Sequence, residues 1–382
     1  MRSVLLLGSI LAACGDPGRP PEPRAAAEGL VLVEADPSDA PIATLTDAEL
    51  ERFAEGDARF ELPFREPQGL GPLYIHRSCV SCHEEDARGP GAVRRLAVVG
   101  DGAPLLFGDV LRPRLAAGAR TPITKPDRED VRESVRLGPA VFGRGYLDAI
   151  DDAQILAWEA RQASRDDGIS GRAHRLPSGE LGRFGLKARI ATLEEFVADA
   201  FLGDMGLTSP LRPAELPNPD GLSDDARAGV DLTGDEIALV ADYVRMLAIP
   251  RRAEVPTGAA LFEAVRCAVC HAPSARTRAD TPIPALRDVD VALYTDLLLH
   301  DMGEGLADGV REHDASGREW RTAPLIGIRH LRSLLHDGRA ETVREAIEAH
   351  ASEGSEANDS VERFRRLSAA DQDVVVAFVE AL

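Results

Sequence analysis

Two segments of the chain carry apolar residues at the spacing of an amphipathic helix. The apolar positions are Leu232, Val240, Tyr243, Val244 and Leu247 in the first, and Leu367, Val375, Phe378, Val379 and Leu382 in the second. All of these pairs are separated by the same number of residues. Thr233 with Glu236, and Ser368 with Asp371, stand where helix N-caps are expected. The pattern predicts two helices of one kind, each closing its half of the chain.

Other features occur in the same order in each half. Leu73-Tyr74 and Leu261-Phe262 precede two Cys-X-X-Cys-His motifs by equal distances, which predicts a similar apolar helix start before each. An Asp-Met-Gly tripeptide follows each motif. The order indicates an internal repeat with unequal insertions. Two prolines and a glycine between residues 249 and 258 predict a boundary between domains at 46–250 and 251–382.

The N-terminus has the pattern of an export signal. Residues 1–13 combine a basic start with an apolar run too short to cross a bilayer. Leu11-Ala12-Ala13-Cys14 resembles the lipobox of bacterial lipoproteins, which predicts lipidation of Cys14 and a membrane anchor facing the periplasm. Ordinary signal cleavage with an incidental Cys14 is the alternative. Residues 14–45 are largely rich in proline, alanine and acidic residues, the composition of a flexible tether.

Composition narrows the class of partner. The 382 residues are 44% hydrophobic and carry a formal net charge of -20, so a folded core is expected. That charge repels nucleic acid and anionic lipid surfaces. It suits docking of a small basic electron-transfer protein, although a charged surface also serves solubility alone.

The two Cys-X-X-Cys-His motifs predict covalently bound c-type haem. Cys79 with Cys82, and Cys267 with Cys270, place two thiols about one helical turn apart, as addition to two vinyl groups requires. The adjacent His83 and His271 are then the proximal iron ligands. A redox dithiol or half of a zinc site is the alternative.

The distal ligands are predicted from the few methionines. Met205 and Met302, each within Asp-Met-Gly, follow the two motifs and precede the closing helices. A thioether ligand is common in cytochromes c. The competing histidines are His76, His300 and His336, and aromatic residues that could line a haem edge are Tyr146 and Trp320.

Several blocks resemble the bacterial di-haem oxidoreductase family, sometimes labelled thiol oxidoreductases. They are Gly69–Pro72, Gly182–Ala188, Asp204–Ser209, Tyr294–Gly303, Glu319–Leu325 and Leu335–Ala340. The last two blocks are also similar to the C-terminal domain of di-haem cytochrome c peroxidases. This resemblance makes His336 the candidate catalytic residue. Those peroxidases have a methionine after the His-Asp-Gly segment, and here none follows Met302.

The fold expected from the repeat and the resemblance is mostly α, with two cytochrome c-like haem domains and long loop insertions. The expected function is a periplasmic di-haem c-type oxidoreductase, with hydrogen peroxide as candidate substrate, that passes electrons between its haems. A pure electron carrier with both haems six-coordinate is the alternative. A lipoprotein that uses haem structurally within a larger assembly is a third.

Overall fold

The computed structural model describes residues 40–84, 89, 91–100, 102–223 and 229–382. The predicted signal segment at 1–13, Cys14 and most of the predicted tether lie outside the described residues. The helices are α1 Asp47–Glu61, α2 Arg144–Asp148, α3 Asp152–Ala163, α4 Leu193–Met205, α5 Gly234–Met246, α6 Gly258–Ala264, α7 Val343–Ala349, α8 Asn358–Arg366 and α9 Ala369–Ala381.

The strands of the described residues are short and form two-stranded sheets. They are β1 Leu73–Tyr74, β2 Ala92–Val98, β3 Arg114–Leu115, β4 Val131–Leu137, β5 Ala275–Arg276, β6 Asp290–Val291, β7 Leu299–Asp301 and β8 Glu319–Arg321. Antiparallel pairs form between β1 and β3, β2 and β4, β5 and β6, and β7 and β8. The longest pair, β2 with β4, runs in register from Ala92 opposite Leu137 to Val98 opposite Val131.

The expectation of a mostly α protein built from cytochrome c-like domains is wrong. Helices account for 34% of the structure and strands for 14%, in small sheets. The chain contains 34 glycines and 26 prolines, and these residues favour turns and irregular backbone over long helices. The segments expected to be loop insertions therefore form hairpins and turns that make up much of the molecule.

Both predicted closing helices are present, as α5 and α9. Thr233 caps α5 in a capping box, because its side chain accepts from the Glu236 amide and the Glu236 carboxylate accepts from the Thr233 amide. At α9 the Ser368 hydroxyl oxygen accepts from the Asp371 amide at 3.1 Å. Such caps satisfy N–H groups that have no partner within the helix.

Each closing helix crosses an earlier helix at a glycine. A Cβ atom added to Gly56 of α1 would lie 2.6 Å from the Tyr243 Cβ of α5, and one added to Gly258 of α6 would lie 2.6 Å from the Phe378 Cβ of α9. One turn further along, Phe60 packs on Tyr243 at 5.2 Å between ring centroids. Phe262 packs on Phe378 at 5.5 Å in the same way. The two halves thus share one helix crossing.

This crossing corrects the predicted helix start before the first Cys-X-X-Cys-His motif. Leu261-Phe262 lies in α6 as expected, but Leu73-Tyr74 forms strand β1 and pairs with β3. The counterpart of α6 is α1, which ends well before the motif. The prediction failed because the first half carries an extra segment between its helix and its motif.

The main hydrophobic core draws on both sides of residue 250. It joins residues of α1, α4 and α5 to Leu286, Leu293 and Leu297 beyond that residue. A β-bridge also links Ile150 to Thr277. The boundary between domains 46–250 and 251–382 stays a prediction. Within the described ranges, no helix has the length and apolarity needed to cross a membrane.

The glycine crossings generate a prediction about stability. Gly56→Ala and Gly258→Ala should each destabilise the protein by about 1–3 kcal/mol, because the added methyl group meets atoms that cannot move independently. Gly203→Ala is the matched control, since a Cβ atom there meets nothing within 4 Å and alanine favours the helix. Midpoints of chemical denaturation measure the effect. Equal midpoints for Gly56→Ala and Gly203→Ala would contradict it.

Candidate functional site

Each Cys-X-X-Cys-His motif folds as a tight 3₁₀ turn that continues into the histidine. The turns are Cys79–Ser81 and Cys267–Val269. The His83 amide donates to the Cys79 carbonyl at 2.9 Å, and the His271 amide donates to the Cys267 carbonyl at the same distance. The turn brings two thiols and one imidazole to the wall of one cavity in each half.

The first cavity spans about 880 Å³, including space that opens to solvent. Cofactor pockets in proteins are mostly apolar. Cys79, Cys82, His83 and Met205 all line this cavity. Its apolar wall includes Leu147, Leu193, Val197, Phe201, Val240 and Val244.

Met205 is held in place by the backbone that leads to the first motif. It ends α4, is 3% exposed, and its carbonyl accepts from the Gly71 amide at 3.0 Å. The Ile75 amide donates to the Asp204 carbonyl at 2.7 Å. Gly206, at φ +74, approaches Gly71 so closely that a Cβ atom on either residue would clash with the other. The motif and the methionine are thereby fixed relative to each other.

The second cavity is larger, about 2010 Å³ including space that opens to solvent. Cys267, Cys270, His271 and Met302 line it. Its apolar wall includes Phe262, Leu306, Leu325, Ile328, Ile347 and Val379. Exposed Arg332 stands at its edge.

Met302 has a different setting from Met205. It directly follows strand β7, its amide donates to the Arg318 carbonyl at 3.1 Å, and it bridges to Ser355. The two Asp-Met-Gly tripeptides are therefore alike in sequence and order but not in local structure. Met302 is held by loops rather than by a helix end.

The two motif histidines are set up to bind metal as neutral imidazoles. Burial lowers the pKa of His83 and of His271 to about 4. His271 also has its Nδ1 3.0 Å from the Tyr294 carbonyl, which leaves Nε2 with a free lone pair. Phe60 packs against His83 at 5.9 Å and Phe262 against His271 at 6.4 Å between ring centroids.

The cysteine thiols of the two motifs are held in apolar surroundings. Burial raises the pKa of Cys79, Cys82 and Cys267 to about 12, so these thiols are neutral. All four motif cysteines are free of disulfides. Within the described residues, the single group with metal-ligand spacing is Cys270 with Asp296 and His300, and it contains one motif cysteine.

His300 is not available as a distal ligand in this arrangement. Its Nδ1 lies 2.7 Å from a Glu356 carboxylate oxygen and its Nε2 lies 3.0 Å from Asp296. Gln162 donates to the same Asp296 oxygen at 2.7 Å. Both ring nitrogens are therefore occupied by carboxylates.

His336 lies on the wall of the second cavity and stacks on Trp320. The ring centroids are 3.9 Å apart and the planes differ by 17°. Burial lowers the pKa of His336 to about 4, with Asp337 opposing at 3.8 Å. The Lys187 ammonium lies over the same indole, 3.8 Å from its centroid. A neutral imidazole is thus held rigidly at the cavity wall.

His350 is a residue of the second cavity that the sequence did not suggest. It follows α7, and its Nδ1 lies 2.6 Å from the Ala346 carbonyl, which leaves Nε2 unprotonated as at His271. In the sequence, His350 is only a histidine at a helix end, and such histidines are too common to indicate a site. Its position in the second cavity depends on how α7 packs near the second motif, which the sequence pattern does not encode.

Of the other residues proposed from the sequence, two line a cavity and one lies in the hydrophobic core. His76 lines the first cavity, and its Nδ1 lies 2.9 Å from an Arg114 guanidinium nitrogen. Because arginine can only donate, Nδ1 accepts and the proton of the neutral ring stands on Nε2. Tyr146 is 2% exposed and belongs to the main core, while Trp320 lines the second cavity.

Comparison with known families agrees with this geometry. The model of the family described as "Di-haem oxidoreductase, putative peroxidase" matches residues 123–382. The match covers more than half of the chain, and the chain therefore belongs to this di-haem oxidoreductase family. Haem is accordingly its cofactor. The matched range contains Met205, the second motif and Met302, whereas Cys79–His83 precedes it. A search of curated proteins found no match.

Proposed function

We propose that this protein is a periplasmic di-haem c-type oxidoreductase that reduces hydrogen peroxide, with the first haem receiving electrons and the second serving as the reaction site. The observation that supports this assignment is the contrast between the cavities. The first has a buried methionine at the end of a helix. The second has the larger volume and carries His336, stacked on Trp320, on its wall.

The proposed attachment is covalent at both motifs. Cys79 and Cys82 would add to the vinyl groups of one haem, and Cys267 and Cys270 to those of the other. The apolar cavities that the thiols line fit this group better than they fit zinc, and the one group with metal-ligand spacing among the described residues contains a single motif cysteine. His83 and His271 would bind the irons on the proximal side. When bound, haem supplies the change between ferrous and ferric iron on which the redox chemistry depends.

For the distal positions we propose Met205 and Met302. Met205 is fixed by the end of α4 and by its contact with the segment before the first motif, which suits a permanent ligand. Met302 is attached to loops and shares its cavity with His336 and His350. Its bond is the one we expect to yield, since peroxide needs an open position.

His336 is the proposed catalytic residue. Its neutral imidazole would accept a proton from bound hydrogen peroxide and return it to the hydroxide that leaves when the O–O bond breaks. The overall reaction is H₂O₂ + 2H⁺ + 2e⁻ → 2H₂O. Two electrons come from the redox partner by way of the haems. The stack on Trp320 holds the imidazole in one orientation during both transfers.

The proposed electron donor is a small basic redox protein, which the net charge of -20 would attract. Lipidation at Cys14 would anchor the protein to a membrane on its periplasmic side. The pure electron carrier is the competing function. It needs two closed iron sites and no proton donor, and His336 on the wall of the second cavity argues against it.

Covalent attachment predicts the mass of the mature protein. After denaturation, the intact mass should exceed the polypeptide mass by two haems, because thioether bonds survive unfolding. Cys267→Ala combined with Cys270→Ala should remove one haem, and the equivalent change at Cys79 and Cys82 should remove the other. Mass spectrometry measures both. A bound zinc ion, or haem lost on denaturation, would contradict the assignment.

The axial ligands predict the spin state of each haem. Met205→Ala should convert the first haem from low to high spin and lower its reduction potential, because a thioether favours ferrous iron. Met302→Ala should do the same at the second haem. Electron paramagnetic resonance and optical titration follow both changes. If His350→Ala changes the second haem and Met302→Ala does not, His350 is the ligand.

Proton transfer by His336 predicts a specific loss of activity. His336→Gln should lower kcat/KM for peroxide by about 10²–10⁴-fold with haem content unchanged. His313→Gln, at an exposed histidine, is the matched control. Since burial lowers the pKa of His336 to about 4, its neutral form persists as the pH falls from 7 and is lost only near pH 4. Wild-type turnover in His336→Gln would exclude this role. Absence of peroxide reduction by half-reduced wild-type protein would favour the electron carrier.

A further inference from the structure

The two cavities share part of their walls. Pro139, Ala140, Arg144 and Arg321 line both the cavity of the first motif and that of the second. Two of these four residues are arginines, although the cavities are otherwise mostly apolar. The shared wall therefore carries two positive charges between the proposed haem sites.

Local structure brings both guanidinium groups to this wall. Arg144 begins α2, and its Nε donates to the Ala140 carbonyl at 2.7 Å. Next to it, a Cβ atom on Gly145 would lie 2.1 Å from the Arg245 carbonyl, so a glycine is needed for α2 to lie against α5. Arg321 ends β8, and its side chain donates to the Gly185 and Thr322 carbonyls at 3.1 and 3.0 Å.

Neither arginine has an acidic partner among the residues that the structure describes. Both contact only carbonyl oxygens. Two other buried arginines are paired, Arg245 with Asp148, and Arg136 with Asp308 and Glu312, whereas buried Arg112 likewise contacts only backbone carbonyls. An uncompensated buried charge is strongly unfavourable.

The lowered pKa values of Arg144 and Arg321 are those expected of guanidinium groups that lack a nearby anion. Burial lowers the pKa of Arg144 to about 9, and the charge of Arg321 lowers it further in the same direction. Burial lowers the pKa of Arg321 to about 10, against an opposing contribution from Asp296. Asp296 itself is occupied by Gln162 and His300. Two anions on this wall would remove both penalties.

We infer that Arg144 and Arg321, on the shared wall, would each bind a propionate carboxylate of the haems held at the two motifs. This inference rests on the haem sites proposed above. A haem carries its two propionates on the edge opposite its vinyl groups, and the motif cysteines fix the vinyl edge. A guanidinium group matches a carboxylate with two parallel hydrogen bonds. The pair would thus orient the haem on each side of the shared wall.

The test uses the purified protein with both haems and measures the two reduction potentials. Arg144→Gln and Arg321→Gln should each lower the potentials of both haems, because a positive charge at the shared wall disfavours the ferric state of each. Arg276→Gln is the matched control. Arg276 is exposed, lines neither cavity and pairs with Asp290 at 3.0 Å, so its loss should leave both potentials unchanged.

Arg144→Lys and Arg321→Lys keep the charge and test the hydrogen bonds. Both potentials should stay close to those of the wild type, while the propionate-bending bands in the resonance Raman spectrum should shift because lysine cannot form the bidentate contact. If the glutamine variants do not fold, the Raman spectra of the lysine variants alone test the inference. Unchanged propionate bands in both lysine variants would overturn the inference.

The remaining outcomes separate this inference from the proposed function. If the glutamine variants retain two haems and neither potential changes, or only one haem responds to either substitution, the arginines do not serve both propionate edges. Peroxide reduction by His83- and His271-bound haem would stand unaffected in that case. Absence of haem from the wild-type protein would instead overturn the proposed function itself.

Discussion

The close crossing of two helices at a glycine is the contact on which each motif depends. Where α1 meets α5 and where α6 meets α9, the glycine leaves room for only a hydrogen atom against the facing helix. The approach places Phe60 and Phe262 between an aromatic ring of the closing helix and the imidazole of the motif. The histidine is thereby buried and kept neutral, which is the state in which it can bind iron.

From this common base the two halves diverge. The first half closes its cavity with Met205, which the end of a helix and a neighbouring glycine contact hold firmly. The second half replaces that arrangement with loops and a strand pair, and it brings His336 and His350 to the same cavity. The two halves thus hold their methionines in different ways, one at a helix end and one after a strand. Such a division suits storage of an electron at one place and chemistry at another.

The sequence predicted the local features well and the overall fold poorly. The motif turns and the capped closing helices follow from short-range spacing, and the structure has them. Met205 and Met302, chosen by their order along the chain, line the same cavities as the motifs, and their role as ligands stays a prediction. The prediction of a mostly α fold was wrong because it was inferred from two helices and applied to the whole chain, including segments rich in glycine and proline. His350 and the carboxylates that occupy His300 were missed since they depend on contacts between distant segments. No spacing along the chain encodes those contacts.

The hydrophobic core that joins residues on both sides of residue 250 has a kinetic consequence. Side-chain packing, and not a linker, determines how far the first cavity lies from the second. Transfer between the two sites would then be insensitive to solvent viscosity and to ionic strength. Only the encounter with an external electron donor would respond to salt, through screening of the acidic surface. Electron transfer between the cavities would therefore occur over a fixed distance, and only the binding of the external donor would depend on solution conditions.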